Sequence, residues 1–388
     1  MTRLPPHFTL LQVTPELETG GAEQTTLDVA AAVVRAGGRS IVASRGGRMA
    51  GQLAKSGAAL VEMPVQSKNP LTILANAVRL ASLIEREKVS LVHVRSRAPA
   101  FSALVAAHAM KVPFLATYHG VYGGGGAIKR WYNAIMTRGE LVIANSDFTR
   151  ERVIAEHGID PARVIAIPRG VDLARFDPAK VEPGRVEALR RQWGIAGDDG
   201  RVKVLLAGRL TRWKGQRLLI EAAARLKAEG RSDFLIILVG DDQGRRGYRD
   251  ELDKAVAEAG LGEAVRLVGH CDDMPAAYLV ADIVCAPSLQ PEPFGRTAVE
   301  PQAMGRPVLA ADHGAARETV VHGQTGWLAA PGDAAAWAQA LAAAIDAGPA
   351  RRAAIGRAGA ARARKLYSVE AMCAATLAVY TRLVGRRG

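Results

Sequence analysis

Ile283-Val284-Cys285-Ala286-Pro287-Ser288-Leu289-Gln290-Pro291-Glu292-Pro293-Phe294-Gly295-Arg296-Thr297-Ala298-Val299-Glu300 decides how this chain is read. A short apolar run passes into a proline-rich loop, a Phe-Gly turn and a segment of helical period. Buried strand, loop, helix is the repeating unit of a parallel sheet covered on both faces. Gly295 sits where the backbone must turn closely, and Thr297 is expected to begin the helix. Free amides at such a point hold a phosphate, helped by the helix dipole. Glu292 precedes the turn and Glu300 lies about one helical turn inside. Carboxylates accept hydrogen bonds from vicinal diols, so the pair can hold two ends of one extended ligand. A helix cap plus a solvated glutamate is the plainer alternative.

Outward from this stretch the same alternation repeats. Before it, strands are predicted at Val202–Ala207, Phe234–Val239 and Val265–Val268, with helices at Lys214–Ala228, Tyr248–Ala259 and Met274–Val280. After it come strands at Pro307–Ala310 and Gly326–Leu328, and helices at Ala334–Ala347, Ala350–Leu366 and Val369–Val384. The first half has its own series: strands at Phe8–Val13, Arg39–Ser44, Ala59–Pro64, Leu91–Arg95, Pro113–Tyr118, Leu141–Asn145 and Val164–Pro168. Helical segments such as Gln24–Ala36, Leu71–Lys88 and Asp147–Glu156 lie between several of them. The pattern pauses at Phe176–Gly200, which holds Pro178, Pro183 and Gly197-Asp198-Asp199-Gly200 around a short polar helix. This stretch reads as the link between two doubly wound α/β domains, residues 1–180 and 181–367, with the last helix, 368–388, packing back on the first.

A second strand-to-helix loop is Leu206-Ala207-Gly208-Arg209-Leu210-Thr211-Arg212-Trp213-Lys214-Gly215. Arg209 offers a planar fork for phosphate oxygens and Lys214 a mobile point charge. Two cations and a helix N-terminus stabilise a departing diphosphate without a metal. A solvated basic surface is the ordinary reading of such a pair. The loop is no Walker motif, because no GxxxxGK[ST] precedes the lysine.

Taken together, Gly208-Arg209-Leu210, Lys214-Gly215, Glu292-Pro293-Phe294-Gly295 and Glu300 resemble the GT-B glycosyltransferases of family 4. Pro168-Arg169-Gly170-Val171-Asp172, Ala303-Met304-Gly305-Arg306-Pro307-Val308 and Gly323-Gln324-Thr325-Gly326 match in the same order, over roughly residues 165–335. The first half matches more loosely, through Gly20-Gly21-Ala22-Glu23 and Thr117-Tyr118-His119-Gly120. The resemblance implies two Rossmann-like domains facing across a cleft, and sugar transfer from a nucleoside-diphosphate sugar with retained anomeric configuration. It implies that Arg209 and Lys214 contact the diphosphate, that Glu292 holds the transferred sugar and that Glu300 holds the ribose. Amides near Phe294, Gly295, Arg296 and Thr297 would bind sugar and phosphate, and Gly269-His270 would face the base. Gly20 and Gly21 would let the first loop approach the phosphates, and His119 would lie near the reacting sugar. By pattern alone His119 is a structural or surface histidine. Arg296 stands where the family more often has an apolar residue, and Arg169 where asparagine is common. The acceptor is expected to be a carbohydrate or lipid-linked hydroxyl, in lipopolysaccharide, capsule or exopolysaccharide synthesis.

Composition narrows the alternatives. The net charge is +13, and residues 1–180 carry 22 Lys and Arg against 14 Asp and Glu. This suits anionic ligands or an anionic inner-membrane surface as well as plain solubility. Nucleic acid fits poorly, since aromatics are only 5% of residues and no nucleic-acid motif is present. Cys271, Cys285 and Cys373 form no CxxC pair. No DxD occurs, Asp241-Asp242 and Asp272-Asp273 read as polar turns, and the histidines show no ligand spacing, so neither metal nor cofactor is expected. Nothing resembles a signal peptide or a membrane span, which predicts a cytoplasmic protein. Gly123-Gly124-Gly125-Gly126 is either a flexible loop or one that orders on an acceptor. Lys129-Arg130-Trp131-Tyr132 is either a half-buried amphipathic helix or a contact for an anionic membrane or lipid-linked acceptor. A phosphorylase, an epimerase and a non-catalytic binder remain as rivals. A nicotinamide dehydrogenase does not, because Gly20-Gly21-Ala22-Glu23 breaks GxGxxG.

Overall fold

The structure, a computed structural model, describes residues 4–18, 20–120, 126–197, 199–244 and 246–385. It divides into two compact units, Met1–Gly170 with Val369–Gly388, and Val171–Ser368.

The first unit runs β1 (Thr9–Val13), α1 (Gly21–Arg35), β2 (Arg39–Ser44), α2 (Ala50–Lys55), β3 (Ala59–Glu62), α3 (Pro70–Arg86), β4 (Leu91–Val94), α4 (Arg97–Ala109), β5 (Phe114–Tyr118), α5 (Ala127–Ala134), β6 (Leu141–Ala144), α6 (Asp147–His157) and β7 (Val164–Ala166). Its seven strands are parallel, in the order β3-β2-β1-β4-β5-β6-β7. One sheet face packs α3, α4 and α6 through Leu80, Ile84, Ala103, Ala107 and Val153. Local signals set the helix ends. Asn69 accepts from the Leu71 and Thr72 amides and Pro70 follows it, an N-cap with proline at the first helical position. Ser146 caps α6, and Gly158 ends it in the left-handed region.

The second unit runs α7 (Pro183–Gln192), β8 (Val202–Ala207), α8 (Gln216–Ala228), β9 (Phe234–Val239), α9 (Arg246–Glu258), β10 (Val265–Gly269), α10 (Met274–Val280), β11 (Ile283–Ala286), α11 (Arg296–Ala303), β12 (Val308–Ala311), α12 (Ala316–Thr319), β13 (Gly326–Ala329), α13 (Ala334–Asp346) and α14 (Gly348–Leu366). Its six strands are parallel, in the order β10-β9-β8-β11-β12-β13. The final helix, α15 (Val369–Gly385), belongs to the first unit, where Met372, Leu377 and Tyr380 join Phe8 and Val29 in the core.

Two details differ from the sequence reading. The units divide at Gly170, ten residues before the expected boundary, because Val171 and Phe176 are buried in the second unit's core and the Val171 amide bonds to the Tyr367 carbonyl. The stretch from Phe176 to Gly200 is no free linker. Val181, Trp193 and Ile195 are core residues, and Arg185 donates two hydrogen bonds to Asp273, at 2.8 and 2.6 Å. Its polar look comes from the outer face of α7. No helix among the described residues is long and apolar enough to cross a membrane.

Each sheet reverses strand order once, between β1 and β4 and between β8 and β11. Ligands of doubly wound sheets lie beyond the carboxyl ends of the strands at such a point. In the second unit the loops leaving β8 and β11 are Gly208–Gly215 and Pro287–Gly295, the two that carry the cationic and acidic motifs.

Candidate functional site

Backbone contacts lock these two loops together. The Leu289 amide donates to the Trp213 carbonyl at 2.7 Å. Gly215 is left-handed (φ 79°), and a side chain there would collide with the Pro287 carbonyl. The Lys214 side chain runs past Gly208, and its ammonium stands 4.4 Å from the centre of the Trp213 ring. From there it donates to Glu292 Oε1 at 2.6 Å, and the Ser288 hydroxyl donates to the same oxygen at 2.6 Å. The two charged side chains are 13% and 17% exposed, so water screens their attraction only in part. A third strand-end loop holds the carboxylate's backbone. The Ala315 amide donates to the Glu292 carbonyl at 3.0 Å, Gly314 (φ 60°) leaves no room for a side chain against that backbone, and His313 Nε2 donates to the Ser288 carbonyl at 2.8 Å. A small recess results, lined by Ser288, Glu292, Gly295, Thr297, His313 and Ala316.

Helix α11 starts at this recess, one residue earlier than the sequence reading placed it. Gly295 takes the left-handed conformation (φ 78°, ψ 62°) and Arg296 is the first helical residue. Helix geometry gives the Arg296 and Thr297 amides no intrahelical acceptor. Arg296 pairs with Glu300 Oε1 at 2.7 Å, and the Tyr278 hydroxyl donates to Oε2 at 3.0 Å. Burial and the Glu300 carboxylate hold the Tyr278 hydroxyl well above its usual range, so it stays a donor. The Phe294 ring turns into the core, edge-on to Tyr367 at 5.7 Å, and leaves its backbone to face the loop.

Other candidates of this unit have partners of their own. Arg209 is exposed and reaches Gln243 Oε1 at 3.5 Å. Gly269 is left-handed (φ 77°) at the end of β10, followed by an exposed His270 that bonds Asp272 at 2.9 Å. Asp241 and Asp242 accept from the Gln243 and Gly244 amides, and Asp273 caps α10. Among the described residues no three His, Cys, Asp or Glu side chains gather as metal ligands would.

The first unit holds the other candidates. Gly20 precedes α1 and Gly21 opens it, with the Arg169 guanidinium where a side chain of residue 21 would stand. Arg169 Nη2 and Asn145 Nδ2 donate to the His119 carbonyl at 3.1 and 3.2 Å. Both ring nitrogens of His119 are buried, with no hydrogen-bond partner among the described residues. Burial first, then Arg169 and Arg95, hold this imidazole well below its usual pKa, so it is neutral at pH 7. Below it lies a closed network. His93 bonds the Tyr380 hydroxyl at 2.6 Å and the Thr117 hydroxyl at 2.7 Å, while Arg95 donates to Gln12 Oε1. Gly123–Gly125 lie outside the described residues. Lys129 to Tyr132 belong to α5, with Lys129, Arg130 and Trp131 exposed and Tyr132 partly covered.

Sequence reasoning missed Ser288, His313 and Tyr278. Ser288 stood inside the quoted loop, and His313-Gly314 follows a strand as His119-Gly120 does. Tyr278 gave no signal, because a tyrosine on an apolar helix reads as core.

Residues 19–175 match the model of Glycosyltransferase Family 4, and residues 187–362 that of Glycosyl transferases group 1. A solved glycosyltransferase from Rickettsia africae is similar over 98% of this chain and 99% of its own, with 33% identity and a TM-score of 0.90. HepE from Anabaena, solved with UDP, is similar over 98% and 99%, with 25% identity and a TM-score of 0.82. The D-inositol 3-phosphate glycosyltransferase of Kineococcus radiotolerans is 36% identical over 65% of this chain and 59% of its own length. That of Pseudarthrobacter chlorophenolicus is 36% identical over 58% and 51%. The match thus spans little more than half the length of these curated relatives.

Proposed function

The chain belongs to the family 4, group 1 glycosyltransferases, and on that premise we propose that it moves a sugar from a nucleoside-diphosphate sugar to an acceptor hydroxyl with retained configuration. The observation that carries the reading is the largely buried Lys214–Glu292 pair beside the α11 N-terminus. Each charge has a use in the reaction that its present partner only substitutes for. As the glycosidic bond lengthens, negative charge grows on the diphosphate. The Lys214 ammonium, the Arg209 guanidinium and the α11 amides meet that charge. Glu292, released from the ammonium, accepts from hydroxyls of the transferred sugar. Glu300 exchanges Arg296 for the ribose diol and keeps Tyr278. Neutral His119, whose two ring nitrogens have no partner among the described residues, orients a polar group of the sugar or acceptor. The departing phosphate takes the acceptor's proton on the face it leaves, so the chemistry calls for no metal in this reading.

UDP-glucose is a reasonable first donor, since HepE has been solved with it. For the acceptor, the curated relatives are named for D-inositol 3-phosphate, and the basic first unit suits a phosphorylated acceptor. Lipid-linked saccharides of lipopolysaccharide, capsule or exopolysaccharide synthesis form the second acceptor class. A cytoplasmic setting fits an enzyme that consumes nucleotide sugars. The test is a thermal-shift screen of UDP, GDP and ADP sugars, followed by nucleotide release from labelled donor with each acceptor class. Acceptor-dependent release with a retained anomeric centre is expected. Donor binding without release would mean a binding protein, and acceptor-independent turnover an epimerase.

A further inference from the structure

Eight large apolar side chains are exposed among the described residues, and six of them lie on three helices of the first unit. Leu71, Leu74 and Val78 are on α3, Val105 is on α4, and Ile128 and Trp131 are on α5. The exposure is large: 77% for Leu71, 71% for Val78, 85% for Ile128 and 63% for Trp131. None of it is needed by the core. Helix α3 already buries Ala77, Leu80, Leu83 and Ile84, so Leu71, Leu74 and Val78 form a second apolar stripe at i, i+3 and i+7. On α5, Ile128 and Trp131 share a face at i, i+3.

The three helices are neighbours. Helix α3 packs along α4. Phe101 of α4 meets the Trp131 and Tyr132 rings of α5 at 5.7 and 5.3 Å, and Arg97 donates to Asn133 Oδ1 at 2.6 Å.

Charge singles out the same segment. Residues 65–138 hold ten Lys and Arg against two acidic residues, Glu85 and Glu87, and no acid occurs between Glu87 and Glu140. That surplus of eight is most of the chain's +13. Lys68 precedes α3, Arg79 lies on it, Lys111 follows α4, and Lys129 and Arg130 lie on α5, all of them exposed.

We propose that the outer face of α3, α4 and α5 docks on an anionic lipid surface, with Ile128, Trp131 and the α3 stripe entering the headgroup–acyl boundary and the surrounding cations meeting lipid phosphates. Charge complementarity selects this occupant. Cations draw the face to any polyanion, but exposed leucine, valine and isoleucine gain nothing against nucleic-acid phosphates. They gain from an interface that is charged outside and apolar just beneath. Tryptophan favours that depth because one end of its ring is apolar and the other donates. The face shares no residue with the donor recess and stands whether or not that recess holds a nucleotide sugar.

The test is co-sedimentation of the full chain with vesicles of phosphatidylcholine alone or containing about 30% phosphatidylglycerol. Binding is expected only to the anionic vesicles, falling at high salt. Lys129→Glu with Arg130→Glu should weaken it on the order of tenfold or more. The triple variant Leu74→Ser, Val78→Ser, Ile128→Ser should weaken it by about tenfold while the dependence on anionic lipid persists. These side chains point away from the core, so melting temperature and nucleotide-induced thermal shift should match the wild type. Absent or equal binding to both vesicles, or full binding by the triple variant, overturns the proposal. So does binding to a single-stranded RNA that the serine substitutions leave unchanged, or a dimer that those substitutions dissolve.

Discussion

Replacing Lys214 with alanine separates what the lysine does for the fold from what it does for the reaction. In the free protein its ammonium holds Glu292 Oε1 at 2.6 Å with both side chains largely covered. Removing it leaves the carboxylate with the Ser288 hydroxyl, and a partly buried charge that loses one partner costs about 1–3 kcal/mol. A unit of this size would melt roughly 2–12 °C lower. Fold and reaction thus weigh differently. A cation placed where charge develops on a leaving group contributes about 3–4 kcal/mol to the transition state, a factor of roughly 10²–10³ in kcat. The assay is nucleoside-diphosphate release at saturating donor and acceptor, beside urea unfolding of the same preparation. A protein still folded at assay temperature with turnover down by at least about a hundredfold is expected. Glu292→Gln, which keeps a side chain for Ser288, should lose sugar transfer more than nucleotide affinity. Turnover of Lys214→Ala within about threefold of wild type would refute the assignment.

Three further outcomes follow from the same geometry. Gly215→Ala forces a methyl group against the Pro287 carbonyl at φ 79°, so unfolding should cost at least about 1–3 kcal/mol less and turnover should fall, as the loop carrying Lys214 moves off the loop carrying Glu292. Glu300→Gln keeps Tyr278 but loses the charge that meets Arg296, and the Kd for nucleoside diphosphate, read by calorimetry, should rise about tenfold. His93 and His119 are both held well below the ordinary 6.5 by burial, so the folded state binds fewer protons than the unfolded one. Their contribution is complete above about pH 6.5 and is lost as pH falls, by up to about 1.4 kcal/mol per pH unit for each histidine. Urea midpoints between about pH 7 and pH 5 should drop less steeply in His119→Gln than in wild type.

Much was legible in the chain itself. Apolar runs such as Phe234–Val239, buried at every position, alternate with helices of clear period, and in a parallel sheet that alternation comes from burial on both faces. Gly295 also announced tight backbone, since a left-handed residue is costly for anything but glycine, whereas Gly215 and Gly314 showed the same need only in the structure. The stretch around α7 misled because polar residues on its outer face hid the core contacts of Trp193 and Ile195.

Sequence alone therefore determined the two α/β series and the loops that carry charge, because period and turn chemistry are properties of neighbouring residues. Only the tertiary structure decided who meets whom. Lys214 and Glu292, far apart in the chain, meet because strand order reverses between β8 and β11. Glu300 is shared between Arg296 and Tyr278, and the helices that carry the exposed apolar residues, α3, α4 and α5, come together only through packing of α3 on α4 and of α4 on α5.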